Sequence, residues 1–233
     1  METNENEPDI YAYPKEIADL VWNNTTEELV KKDTKYGLLT TKNCIKMTFR
    51  QDSSPVPPGY VGHIECANAF NAAATEVYGD TDKKNLKLLD LGCGTGLAGK
   101  LLKEKFRFDN LVGLDVSEEM LEMARKKSIY KKFICSYVTN ERVAEIDNAE
   151  FDGVLASAVI LPGLITPNAL DEIIRWIKPG GIICFNCRCD GYESEEYGYK
   201  AKCENLEKQK RWKLISSLDG NYYGANYPQR AVL

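Results

Sequence analysis

The 233-residue sequence has a single histidine, only four methionines, no long apolar run and no excess of basic residues. Each shortage excludes something. With one His63, and no second Cys or His pair at finger-like spacing after Cys184-x2-Cys187-x-Cys189, no zinc-ligand set emerges. The longest apolar stretches, such as Val154–Leu164, are interrupted by Ser or Gly-Pro and fall short of a membrane span. Met1–Asp9 is acidic and polar, the opposite of a signal or transit peptide, so a cytoplasmic setting and reduced thiols are expected for the eight cysteines. The 30 basic residues are outnumbered by 35 acidic ones, a net charge of −5. A nucleic-acid surface needs a basic stripe, and scattered lysines argue against one, with Lys126–Lys127 and Lys131–Lys132 read as a solvated helix end rather than a binding patch.

The charge is unevenly placed. Residues 1–30 carry eight acids and one base, while the remaining 203 carry 29 bases and 27 acids. The composition, 43% hydrophobic with 17 glycines, is that of an ordinary globular protein able to bury a core without disulfides or metal. The expected organisation is an N-terminal extension or lid over residues 1–59 and one domain over residues 60–233. A short helix is expected over Ile17–Leu29, and the Pro-rich run Gln51–Gly59 is loop chemistry. Ile64, Ala67, Phe70, Ala74 and Val77 follow helical spacing.

After residue 85 strands and helices alternate. Strands are expected at Leu86–Leu91, Leu111–Asp115, Lys132–Val138, Phe151–Ala156 and Ile182–Cys187, with a sixth at Arg211–Ser217 and a seventh in the last residues. Helices fall between them: Leu97–Lys105, Glu118–Lys127 with Ser117 as N-cap, and a helix opened by Thr166-Pro167 and stopped at Lys178-Pro-Gly-Gly181. This alternation predicts an α/β fold: a doubly wound, mostly parallel, seven-stranded Rossmann-like sheet with a helical N-terminal extension. In the fifth strand, extended through Cys189, Cys187 and Cys189 share one face and Cys184 takes the other, as core thiols.

The informative segment is Leu88-Leu-Asp-Leu-Gly-Cys-Gly-Thr-Gly96, a buried strand running into G-x-G-x-G and then a helix. Glycines there allow unusual backbone angles and let a ligand approach the main chain. Asp115 ends the next strand, where a carboxylate can accept hydrogen bonds from both hydroxyls of a ribose. A nicotinamide-dependent oxidoreductase is the competing reading, but its loop is G-x-G-x-x-G. Asp90 would also repel a pyrophosphate, whereas it favours a cationic ligand bearing an amino group.

With these residues the chain resembles the class I S-adenosylmethionine-dependent methyltransferases, whose first motif is an acid followed by G-x-G-x-G. Asp90, Gly92, Gly94 and Gly96 match that motif, Leu97 follows it, and Asp115 matches the ribose-binding acid. Cys93–Leu97 and Ile174–Gly181 are similar to the Williams–Beuren-region methyltransferase-like proteins of animals. The resemblance implies S-adenosyl-L-methionine as cofactor and S-adenosyl-L-homocysteine as product. It further implies Val116 and Met120 against the adenine, Ser136-Tyr137 near its amino group, and Ser157 near the transferring methyl. Many relatives carry an Asp where Tyr137 stands, and Tyr137 can stack or offer its hydroxyl instead.

Methyl transfer from a sulfonium demands alignment and exclusion of water, not an obligatory catalytic residue. Tyr60 and His63 are the candidates for facing the acceptor, His63 as a base. The catechol-type metal-dependent branch needs clustered carboxylates after the fourth strand, and Ala156–Thr166 contains none, so no metal is expected. The expected acceptor is a small molecule, with no nucleic-acid partner and no membrane span. A protein side chain as acceptor and a non-catalytic cofactor-binding protein are the alternatives. Nothing in the sequence selects an oligomeric state.

Overall fold

A computed structural model describes residues 62–79, 81–221 and 228–232. The expected lid at 1–59, the helix at Ile17–Leu29 and Tyr60 lie outside the described residues.

The elements in chain order are α1 (Gly62–Tyr78), β1 (Lys87–Leu91), α2 (Leu97–Glu104), β2 (Asn110–Asp115), α3 (Glu118–Arg125), β3 (Lys132–Cys135) and β4 (Phe151–Ser157). There follow α4 (Leu170–Trp176), entered through a 3-10 turn at Pro167–Ala169, and β5 (Ile177–Arg188). The chain continues through α5 (Cys189–Glu193), α6 (Tyr199–Lys208), β6 (Ser217–Asn221) and β7 (Pro228–Val232). The strands form one seven-stranded sheet in the order β3-β2-β1-β4-β5-β7-β6. Strands β1 to β5 are parallel, and β7 pairs antiparallel with both β5 and β6. The doubly wound fold is as the alternation predicts.

The period of two along each strand sorts side chains between two cores. Leu88 faces Phe70, Leu102 and Leu111 on one side of the sheet, while Leu89 and Leu91 join Ile173, Trp176 and Phe185 on the other. Helix α1 runs down the first face. Asn186 Nδ2 of β5 donates to Gly62 O at its start (3.0 Å), and Tyr78 Oη at its end donates to Asp152 O of β4 (2.6 Å). That direction puts Gly62 and His63 at the C-terminal ends of β4 and β5.

Several boundaries differ from expectation. Strand β3 stops at Cys135, so Ser136 and Tyr137 follow the strand instead of lying in it. Strand β5 begins at Ile177: Phe151 pairs with Ile177 and Gly153 with Ile182, so Lys178-Pro-Gly-Gly181 forms a bulge within the strand. The strand expected at Arg211–Ser217 lies instead at Ser217–Asn221. Cys189 opens α5, so it does not share the strand face of Cys187. Cys184 and Cys187 do pack on opposite faces. Cys135 is exposed, unlike the core thiols Cys66, Cys93, Cys184, Cys187 and Cys203.

Candidate cofactor site

The strand order reverses between β1 and β4, where neighbouring connections leave on opposite faces and open a crevice at the strand ends. The glycine loop occupies that point. Gly92, Gly94 and Gly96 have φ of +67°, +53° and +91°, angles that side-chain-bearing residues adopt only with strain. Gly92 N and Cys93 N donate to Leu114 O at 2.8 and 3.0 Å, which ties the loop to β2. A Cβ on Gly94 would meet nothing within 4 Å, so the loop presents open backbone there. Leu97 is half-buried at the start of α2.

Asp115 ends β2 as expected and is stitched to the loop. Its Oδ2 accepts from Gly94 N (2.8 Å) and its Oδ1 from Ser117 N (2.9 Å). Each carboxylate oxygen has two lone pairs, so one on each side remains for further donors. Burial raises its pKa, against those backbone N–H donors, which lower it. Beside it stand two exposed apolar surfaces, Val116 (44%) and Tyr137 (80%), enough free area to receive a flat ring. Ser136 N donates to Asp115 O. Ser117 caps α3 as expected, accepting from Met120 N, and the Met120 side chain is buried.

Asp90 sits deeper, 1% exposed at the end of β1. The Tyr130 hydroxyl donates to its Oδ2 at 2.6 Å, while Oδ1 has no hydrogen-bond partner among the described residues. Burial pushes its pKa up to about 7, against the Tyr130 bond and the Gly99 N–H, which lower it. Tyr130 has no counterpart in the sequence reading. Room for its ring is cleared by glycines on three elements. A Cβ on Gly99 would lie 2.2 Å from its oxygen, and one on Gly113 or Gly96 would lie 3.3 or 3.2 Å from its ring. Gly99 within a helix and Gly113 within a strand are the available sequence signals, because each weakens its element unless something approaches closely.

The opposite rim is built by β4 and β5. Ser157 pairs with Asn186, and Ala158, at φ +58°, donates its N–H to Asn186 Oδ1 at 2.7 Å. Since Asn186 also donates to Gly62 O, this fully buried amide binds the tip of β4 to the start of α1. His63, half-buried, is thereby carried to the rim that holds Ser157. Val159 closes over the first glycine, 2.6 Å from where a Gly92 Cβ would stand. Sequence reasoning missed Asn186 because Ile182–Cys189 reads as a uniform core strand. Among the described residues no three His, Cys, Asp or Glu side chains are grouped to hold a metal ion, and no helix is long and apolar enough to cross a membrane.

A family model described as a methyltransferase domain matches residues 82–224, well over half of the chain. The chain belongs to the methyltransferase-domain family. Among curated relatives, the malonyl-[acyl-carrier protein] O-methyltransferase of Pectobacterium atrosepticum is 32% identical over 134 residues, 58% of this chain and 51% of that protein. Phosphoethanolamine N-methyltransferase 1 of Zea mays is 30% identical over 118 residues, 49% of this chain and 23% of that protein. The chain thus matches about half or less of the length of these relatives. Among solved structures, the plantazolicin methyltransferase in complex with SAH superposes with a TM-score of 0.56 at 14% identity, covering 94% of this chain and 96% of that one. The magnesium protoporphyrin IX methyltransferase of Synechocystis with bound SAM gives 0.50 at 15% identity, covering 74% and 78%. These likenesses establish the fold, and of the two neighbours the first holds SAH and the second S-adenosylmethionine. The residues present fit it: an open glycine cradle, a carboxylate with spare lone pairs beside exposed apolar surface, and a buried carboxylate oxygen without a partner among the described residues.

Proposed function

We propose that this methyltransferase moves a methyl group from S-adenosylmethionine to a small-molecule acceptor. The observation that carries the reading is Asp115, bonded to Gly94 of the glycine loop and still able to accept two hydroxyl donors beside Val116 and Tyr137. In this reading Asp115 holds the ribose and Val116 and Tyr137 flank the adenine, with Ser136 behind them. The glycine loop, Leu97 and Asp90 hold the methionine portion, Met120 supports the adenine side from within, and Ser157 borders the reacting methyl. Residues 60–233 are the catalytic domain and residues 1–59 a lid, because Gly62 stands at the acceptor rim.

When bound, the cofactor supplies a methyl already activated by its sulfonium. What the chain contributes is alignment of the acceptor along the line of displacement and exclusion of water. The Asn186 link, which holds the β4 tip against the start of α1, supports that task by fixing the acceptor side of the crevice. His63 on that rim takes the acceptor's proton when the nucleophile is an amine or phenol, whereas a carboxylate acceptor needs no base. The small-molecule class is supported by relatives named for phosphoethanolamine, demethylmenaquinone and ubiquinone biosynthesis. The finer kinship to the Williams–Beuren-region proteins rests on Cys93–Leu97 and Ile174–Gly181. Free thiols at all seven described cysteines suit a cytoplasmic setting.

Calorimetry with S-adenosylhomocysteine, followed by transfer of labelled methyl to panels of amines, acids and phenols, tests the proposal. Binding with turnover of one class supports it. No binding by pure folded protein overturns it, and turnover only on a protein substrate replaces the acceptor class. Within a responsive panel, His63→Gln should lower kcat and flatten its acid limb while leaving cofactor affinity unchanged. An unaltered pH profile removes His63 from the chemistry.

A further inference from the structure

Among the described residues, the side-chain hydrogen bond to the buried Asp90 carboxylate comes from Tyr130. Tyr130, itself 8% exposed, spends its hydroxyl on Oδ2, and its ring is locked edge-on against Phe133 at 5.2 Å. Gly96, Gly99 and Gly113 all lack the Cβ that would obstruct that ring, so three elements accommodate one side chain. Oδ1, on the same carboxylate, is buried without a partner among the described residues. A buried unsatisfied carboxylate oxygen is costly, and a protein retains one where a donor arrives from outside. The titratable groups facing Asp90 are Tyr130 before β3, Cys93 in the glycine loop and Asp115 on β2. Each is neutral or anionic, so no described residue supplies the missing cation.

We propose that Tyr130 is a positioning residue for the cofactor: by occupying Oδ2 it aims Oδ1 of Asp90 at the ammonium of the bound S-adenosylmethionine. This rests on the cofactor reading given above. The hydroxyl does a second job. Its hydrogen bond favours the ionised carboxylate and partly offsets the desolvation that leaves the Asp90 pKa at about 7, so part of the acceptor is ionised for a cation at neutral pH and most of it at pH 8. Burial also raises the pKa of Tyr130 well above the ordinary phenol value, which keeps it a donor throughout.

The test compares S-adenosylhomocysteine with 5′-methylthioadenosine, which shares the adenosine and the sulfur but lacks the amino-acid portion. Tyr130→Phe keeps the ring and removes only the hydroxyl. The variant is expected to bind S-adenosylhomocysteine about tenfold more weakly at pH 8, the loss of one bond to a charged group. Its affinity for methylthioadenosine should stay within twofold of the unsubstituted protein, and the acid limb of S-adenosylhomocysteine binding should move to higher pH. Gly99→Ala, which displaces the hydroxyl sterically, should reproduce that selective loss. Equal weakening of both ligands would reduce Tyr130 to a packing role, and no change in either would also overturn the proposal. Absence of S-adenosylhomocysteine binding in the unsubstituted protein would instead remove the cofactor reading itself.

Discussion

Replacing Asp90 by Asn should stabilise the unliganded protein at neutral to alkaline pH while abolishing tight cofactor binding. Burial raises this carboxyl from 3.8 to about 7, with the Tyr130 bond and Gly99 N–H only partly opposing it. Between those two values the folded state keeps a proton that the unfolded chain has released. Stability therefore falls as pH rises through that window, and the deficit is complete above about pH 7. A shift of about three units at 1.36 kcal/mol each makes the full deficit about 4 kcal/mol. Asn retains an acceptor for the Tyr130 hydroxyl and carries no charge, so its own burial cost does not vary with pH. Urea unfolding of both proteins, without ligand, from pH 4.5 to 9 isolates the effect in their difference. The variant should gain on the parent by about 1.4 kcal/mol per pH unit before levelling off, a rise in relative Tm of roughly 8–16 °C at pH 8. A stability difference that stays flat with pH would refute the argument that burial raises the pKa of this carboxyl in the folded protein.

Asp115→Ala should weaken S-adenosylhomocysteine binding at least about a hundredfold, since two bonds to a charged acceptor are lost. Calorimetry measures it, and unchanged affinity would show that the ribose lies elsewhere. Gly92→Ala should lower stability by about 1–3 kcal/mol, because its Cβ would stand 2.6 Å from Val159 at φ +67°. Thermal unfolding should recover part of that loss in the double variant with Val159→Ala. On the far face, Glu172 accepts from Val143 N, Trp176 Nε1 and Arg175, so Glu172→Ala should cost about 2–4 kcal/mol in urea unfolding. Although desolvation raises the Glu172 pKa, the Arg175 and backbone bonds bring it below its ordinary value. Its contribution is thus complete above the usual glutamate range and disappears as pH falls through the lowered folded-state value.

The first half of the sheet was readable because its signals are local. A run such as Leu88–Leu91 has to be buried on both faces, Ser117 caps a helix through its own hydroxyl, and G-x-G-x-G needs positive φ wherever it folds. Boundaries governed by pairing were less legible. The start of β5 depends on Phe151 reaching Ile177 across the sheet, and β6 depends on β7 for a partner. Neither pairing leaves a pattern in the strand's own residues.

The same division runs through the candidate site. The amino-acid sequence by itself determined the alternation of strands and helices, the glycine loop after β1 and the acid ending β2. Each follows from short-range periodicity or from backbone angles open only to glycine. Only the tertiary structure decided that Tyr130, 40 residues after Asp90, bonds that carboxylate, and that Asn186 joins Gly62 to Ala158. Both depend on residues far apart in the chain meeting at the ends of a parallel sheet. The physical reason is that a buried polar group takes whichever partner packing brings to it, and packing belongs to the folded chain.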